Sequence, residues 1–126
     1  MGFDDYLVTA RATYFAEGRE WYALMLRGEE GERRLQVNPG ADTVLFMEPT
    51  EAGHLAGKVE ESGTASVAVR GLASAVEGVV VDYRRTQAIG GLVGWWERWP
   101  EGEMSYAGRQ VSVKELRLWP AAVSGE

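Results

Sequence analysis

Apolar and polar residues alternate along most of this chain, and turns that contain glycine interrupt the alternation about every 8 to 12 residues. In residues 6–15 one face carries a run of small and aromatic side chains: Val8, Ala10, Ala12 and Tyr14. A period of two is the pattern of a half-buried β-strand. The 16 glycines among 126 residues fit a chain with many tight turns and bulges.

The pattern predicts an all-β fold of about nine short antiparallel strands, arranged as a sandwich or a barrel. A loose repetition of glycine turn, aromatic strand and acidic turn suggests two related β-units. The predicted strands are residues 6–15, 20–27, 33–38, 43–48, 65–77, 79–85 and 92–99, followed by a hairpin over 104–119.

The chain has the length of one domain, residues 1–126. Two halves, 1–48 and 65–120, are one interpretation of that domain, with residues 49–64 as a long unpatterned loop between them. Finer expectations are Leu35 and Val37 facing the core, a bulge at Gly71, and turns at Glu77–Gly78 and Ala107–Gly108. A second bulge near Lys114–Glu115 would bring the last strand into phase.

Three tryptophans lie within five positions in the segment LVGWWERWPEG, residues 92–102. A helix would place Leu92 and all three rings on one face. Gly90, Gly91 and Gly94 would cost such a helix about 3 kcal/mol relative to alanine, so a strand is favoured.

A strand through this segment points Trp95 and Trp99 into the core, where burial of each ring is worth about 5 kcal/mol as an upper bound. The same strand turns Trp96 and Arg98 outward. Both residue types are enriched at protein interfaces, and we therefore expect Trp96 and Arg98 to form a partner-contact patch.

The sequence shows no catalytic machinery. His54 is the single histidine and cysteine is absent, which removes histidine triads, thiolate sites and two-histidine metal sites within one chain. The acidic clusters match no calcium-loop pattern, and the glycine-rich segment 90–94 matches no phosphate-binding pattern. We expect no catalytic residues, no metal and no cofactor.

The formal net charge is −6, and the basic residues form no stripe. This argues against nucleic acid and anionic membrane surfaces as partners. The first ten residues lack the basic and apolar regions of a signal peptide, and no apolar run has the length of a membrane span. We expect a cytoplasmic protein without direct membrane insertion, and the sequence leaves a homo-oligomer open.

Three segments resemble an uncharacterised bacterial family, the domain of unknown function numbered 4178: EWYALMLRGEEGERRLQVN, RGLASAVEGVVVDY and AGRQVSVKELRLWPAAVSGE. Lys114 stands where the family pattern has its glutamate. The matching residues are Trp21, Tyr22, Leu24, Leu35, Gly71, Ala73, Val111, Ser112, Val113 and Glu115.

The resemblance implies a β-rich domain often encoded near homologues of phage-shock protein A and near polyamine aminopropyltransferases, with no catalytic residues assigned. The first functional prediction is therefore a non-enzymatic interaction module with an unknown protein partner, in a membrane-stress or polyamine-linked system.

Two alternatives remain open. One is a small-ligand-binding β-barrel whose cavity is lined by aromatic side chains: Trp21, Trp95, Trp99 and Tyr106. The other is an enzyme of the flavin-binding split-barrel type, with which the short strands are compatible.

Overall fold

The computed structural model describes residues 6–51, 57–71 and 75–112. These residues contain strands and one 3₁₀ turn, Ile89–Gly91, and the predicted all-β fold is confirmed. The eight strands are β1 (Leu7–Ala16), β2 (Arg19–Gly28), β3 (Gly31–Val37), β4 (Thr43–Pro49), β5 (Lys58–Gly71), β6 (Ala75–Gln87), β7 (Val93–Trp99) and β8 (Gly102–Ser112). Within the described ranges, no helix is long and apolar enough to cross a membrane.

The strands close into one antiparallel barrel in the order β1-β2-β3-β4-β8-β7-β6-β5, with β5 returning to β1. Two consecutive four-stranded meanders, β1–β4 and β5–β8, are joined where β1 pairs with β5 and where β4 pairs with β8. Closure pairs β1 with β5 and β4 with β8, so the edge strands of both meanders have a neighbouring strand over at least part of their described length.

The main core fills the lumen of the barrel. Its members alternate along their strands with outward side chains, as the period of two requires. They include Ala12, Tyr14, Trp21, Ala23, Leu45, Met47, Val67, Val81, Tyr83 and Trp95. Val8 is 46% exposed, contrary to its predicted place beside Ala10, because the pairing of β1 with β2 shifts register between these two residues.

The prediction that Leu35 and Val37 of β3 face the main core is wrong. Arg34 and Gln36 point into the lumen, where both are fully buried, while Leu35 lies on the opposite face of the strand. Leu35 and Val37 instead belong to a smaller cluster outside the barrel, which also contains Val44 and Phe46. Both faces of β3 are buried, so the position of its apolar residues does not show which face points into the lumen.

The predicted loop over residues 49–64 is wrong in its second half, because β5 begins at Lys58. Residues 58–64 pair with β6 from Gln87 to Asp82 and are mostly exposed. Backbone hydrogen bonds to a neighbouring strand do not require apolar residues. The hydropathy pattern of residues 58–64 therefore does not indicate a strand.

The predicted turn at Glu77–Gly78 is a bulge inside β6. Between the pairs Val67–Val79 and Val69–Val76, β6 has one residue more than β5. Gly78 has a φ of 73°, which favours glycine. The extra residue brings both Val76 and Val79 to the lumen side, and no register shift occurs at Gly71, where the bulge was expected.

The predicted hairpin at Ala107–Gly108 is also wrong, since β8 runs unbroken through both residues. A Cβ atom at Gly108 would lie 2.0 Å from the Phe46 carbonyl oxygen and 2.6 Å from the Met47 Cα. Glycine is required there because β4 passes too close for any side chain. Among the described residues, β8 takes the place of the predicted hairpin up to Ser112, and the rest of that hairpin, with the bulge predicted near Lys114–Glu115, lies outside them.

Replacing Gly108 with alanine is therefore expected to lower the free energy of unfolding by about 3 kcal/mol or more, because rigid backbone has to move. Gly18→Ala is the control: Gly18 has a positive φ but nothing within 4 Å of the added Cβ, so its cost is about 1 kcal/mol. Urea unfolding followed by tryptophan fluorescence measures both. Equal losses in the two variants would contradict the close approach of β4 and β8.

Candidate functional site

A cavity of about 650 Å³ occupies one end of the lumen. It opens at the end where the β2–β3 and β7–β8 turns lie, since Glu32, Glu101 and Gly102 contribute to its lining. Partly exposed Val76 and Met104 mark its mouth. Its walls are mostly apolar and include Ala12, Met25, Val69, Val79, Trp99 and Met104.

The floor of this cavity carries a buried ion pair between Arg34 of β3 and Glu97 of β7. Arg34 Nη2 lies 2.9 Å from Glu97 Oε2, and both side chains are 0% exposed. The pair crosses the lumen from the first meander to the second. An isolated charge there would be very costly, and each ion is tolerated because the other compensates it.

Glu97 is held by four donors. Its Oε2 accepts hydrogen bonds from the Tyr14 hydroxyl at 2.5 Å, from Arg34 Nη2 and from Trp95 Nε1 at 2.8 Å. Its Oε1 accepts from Trp99 Nε1 at 2.9 Å. A carboxylate with its acceptor sites engaged in this way is a structural anchor and is poorly suited to accept a proton from a substrate.

Arg34 uses two of its three nitrogens. Nη2 donates to the Tyr14 hydroxyl and to Gln36 Oε1, each at 3.0 Å, and Nε lies 3.3 Å from the same Gln36 oxygen. The guanidinium carbon also lies 5.0 Å from the centre of the Tyr106 ring. Nη1 is buried and has no hydrogen-bond partner among residues 6–51, 57–71 and 75–112.

The network determines the protonation states of its members. Burial raises the pKa of Glu97, but the Arg34 charge and the three ring-borne donors outweigh it and hold that pKa below the usual value. Burial lowers the pKa of Arg34, but the neighbouring groups, Glu97 first among them, outweigh it and raise that pKa above its usual value, so Arg34 stays charged. Burial is also the main cause of the raised pKa of Tyr14, which stays a neutral donor.

An aromatic cluster fills the lumen on the other side of the ion pair. Tyr14 stacks on Trp21 at 5.3 Å, and Tyr83 stacks on Trp95 at 5.4 Å, with the two pairs nearly perpendicular to each other. Outside this cluster the Arg19 guanidinium covers the Trp21 ring at 4.9 Å and pairs with Glu61. The cluster closes the lumen beneath the cavity.

The lining of the cavity is acidic overall. Four carboxylates and two guanidinium groups contribute to it, a net of two negative charges. The ion pair on the floor is neutral, and the rim charges are partly paired with residues outside the lining, Glu32 with Arg27 and Arg33 with Glu30 and Glu48. The rim residues are Glu32, Arg33, Glu101 and Glu103.

Of the four residues predicted to line a ligand cavity, Trp99 and Tyr106 lie in the lining of this cavity, and a ligand-binding role for them stays a prediction. Trp21 and Trp95 are buried in the aromatic cluster and form no part of the lining. The structure thus separates them by depth: two rings support the closed half of the lumen, and two rings face the open half.

Trp96 and Arg98 lie on the outer face of β7, on the side opposite Trp95 and Glu97. The Trp96 ring contacts the guanidinium groups of Arg84 and Arg98 at 4.7 and 5.4 Å, and its Nε1 donates to Glu103 at 2.9 Å. Arg98 pairs with Asp82 at 2.9 Å. The array is satisfied within the chain, and a partner-contact role stays a prediction.

Sequence reasoning missed both members of the ion pair. Glu97 was recoverable, because it is in phase with Trp95 and Trp99, the two tryptophans predicted to face inward. Arg34 was not, because Leu35 and Val37 gave β3 an apolar face that proved to be the outer one. Its partner also lies 63 positions away in the sequence.

Among the described residues, no group of three or more His, Cys, Asp or Glu side chains is arranged to hold a metal ion. A scan against protein-family models, a search of curated proteins and a search of solved structures each returned no match. The resemblance to the family of domain 4178 stays a prediction.

The buried pair predicts strong coupling between its two members. Arg34→Met and Glu97→Leu are each expected to lose about 3–5 kcal/mol of unfolding free energy, because each leaves a buried charge unpaired. The double variant is expected to be more stable than either single variant. Urea unfolding measures the cycle, and Arg98→Met, at an exposed pair, is the control with a loss of about 1 kcal/mol or less. Additive losses would contradict the coupling.

The lowered pKa of Glu97 predicts that this residue accounts for part of the loss of folding stability at low pH. The carboxylate stabilises the fold above its unfolded pKa of about 4.3, and this contribution is lost as the pH falls through the lower folded value. Below about pH 4.5 we therefore expect the unfolding free energy of the native chain to fall more steeply with pH than that of the Arg34→Met/Glu97→Leu variant. The difference in slope corresponds to about one proton bound on unfolding. Urea titrations at a series of pH values compare the slopes, and equal slopes would exclude the lowered pKa.

Proposed function

We propose that this protein binds a small, mainly apolar molecule in the open half of its barrel. The observation that carries the proposal is the cavity of about 650 Å³, with apolar walls and a polar floor. Small-molecule sites are typically clefts of about 300–1,000 Å³ lined by apolar and aromatic groups with a few placed polar groups.

The way the lumen is filled supports this proposal. Tyr14, Trp21, Tyr83 and Trp95 pack against one another in the closed half, whereas Ala10 and Ala12 of β1 contribute only small side chains to the open half. Protein interiors are packed with few voids larger than a water molecule, so a void of this size at a mouth indicates room kept for a ligand.

The proposal is tested with N-phenyl-1-naphthylamine, an uncharged dye whose fluorescence rises in apolar surroundings. We expect saturable binding of one dye per chain, with a dissociation constant on the order of micromolar. Val76→Trp fills the mouth of the cavity and is expected to weaken binding by about tenfold or more.

Val80→Trp is the matched control. Val80 lies on the same strand but is 63% exposed and forms no part of the lining, whereas Val76 is 43% exposed and lines the cavity. The control should bind the dye within about twofold of the native chain. Absence of saturable binding, or equal weakening in both variants, would overturn the proposal.

The other predicted roles have no such support among these contacts. The interaction module of a membrane-stress or polyamine-linked system and the flavin-binding split-barrel enzyme stay predictions. The cytoplasmic location also stays a prediction.

A further inference from the structure

Arg34 Nη1 is the one nitrogen of this guanidinium left without a hydrogen-bond partner among the described residues. The residue is 0% exposed and lines the cavity. A buried donor without an acceptor is costly, and a ligand oxygen that reaches it would remove that cost. The other contacts of Arg34 hold the guanidinium in place. Because Nη1 has almost no accessible surface, lining side chains shift slightly when a ligand oxygen comes within hydrogen-bond distance of it.

The charge balance restricts what kind of oxygen this is. Glu97 already neutralises Arg34 at 2.9 Å, and at the rim Arg33 is paired with Glu30 and Glu48. A ligand carboxylate would therefore lose its hydration at a buried floor where both lining guanidinium groups, those of Arg33 and Arg34, are already paired with carboxylates of the chain. Burying such a charge is unfavourable.

An uncharged acceptor meets neither penalty. A carbonyl oxygen loses little hydration on burial compared with a carboxylate and gains a hydrogen bond from a charged donor. The apolar part of the same molecule would contact Met25, Val79 and Trp99 along the walls. Both the floor and the walls thus select the same class of compound.

We propose that the ligand is an uncharged, mainly apolar molecule whose carbonyl or similar neutral oxygen accepts a hydrogen bond from Arg34 Nη1. This inference rests on the proposed function, because it assigns the ligand class of the same cavity.

The test uses three naphthalenes of nearly equal size that compete with N-phenyl-1-naphthylamine for the native chain. 2-Acetylnaphthalene has a neutral acceptor, 2-isopropenylnaphthalene replaces that oxygen with a methylene group, and 2-naphthoate has a carboxylate. Each affinity is divided by the octanol–water partition of the uncharged compound, so that differences in hydrophobicity do not enter the comparison.

After this correction we expect 2-acetylnaphthalene to bind about tenfold tighter than 2-isopropenylnaphthalene, because only the ketone pairs with Nη1. We expect 2-naphthoate to bind more weakly than the ketone by a factor of about ten or more. A carboxylate that binds as tightly as the ketone, or an isopropenyl compound that equals it, would overturn the inference.

The Arg34→Met/Glu97→Leu variant removes the donor without leaving a charge unpaired. The preference for the ketone over the isopropenyl compound is expected to fall about tenfold in this variant and to persist in Val80→Trp, which keeps the ion pair. An unchanged preference in the double variant would also overturn the inference. If the double variant does not fold, the comparison of ligands on the native chain decides the inference by itself.

The two proposals fail in distinguishable ways. If the dye does not bind saturably, or if Val76→Trp does not weaken it selectively, the proposed function fails and the ligand class fails with it. If the dye binds in the cavity but the three naphthalenes differ only as their partition predicts, binding stands and the role of Arg34 Nη1 is excluded.

Discussion

The interior of the barrel depends on the ion pair between the buried Arg34 guanidinium and Glu97. Arg34 is buried in a closed barrel, and its guanidinium is acceptable there because Glu97 lies 2.9 Å away and other donors and acceptors complete the network. The pair joins β3 to β7, two strands on different meanders that are not neighbours in the sheet. It adds a polar cross-link across the lumen to the backbone pairing that closes the wall, and the rings that hydrogen-bond to Glu97 are positioned by it.

The same pair divides the lumen into two unlike halves. On one side, Tyr14 and Trp95 direct their polar edges to Glu97 and their faces to the aromatic cluster, which leaves the closed half apolar and filled. On the other side, the pair is the floor of the cavity, where Trp99 and Tyr106 are part of the lining. The buried polar layer therefore hydrogen-bonds to Tyr14 and Trp95 beneath it, and Arg34, whose Nη1 has no partner among the described residues, lines the space above it.

Much of the barrel wall is predictable, because β1 and β7 carry the two-residue repeat of a pleated strand, and β2 and β4 are short apolar runs bounded by turns. The errors have separate physical causes. The first part of β5 is held by pairing to β6 without burial, Gly78 forms a bulge where a turn was expected, and Gly108 is a glycine because β4 passes close to it. Of the site, the inward facing of Trp99 was predictable from phase, and Glu97 could have been inferred from the same phase.

By itself, the sequence determined that the chain is all-β, that Trp95 is buried and that Trp96 faces outward, since these follow from local alternation and from the cost of glycine in a helix. Only the tertiary structure decided that the sheet closes, that β3 turns its arginine inward, and that a cavity remains above Arg34 and Glu97. Closure and ion pairing are contacts between residues far apart in the chain, and a strand with apolar groups on one face has no local signal for which face meets the lumen.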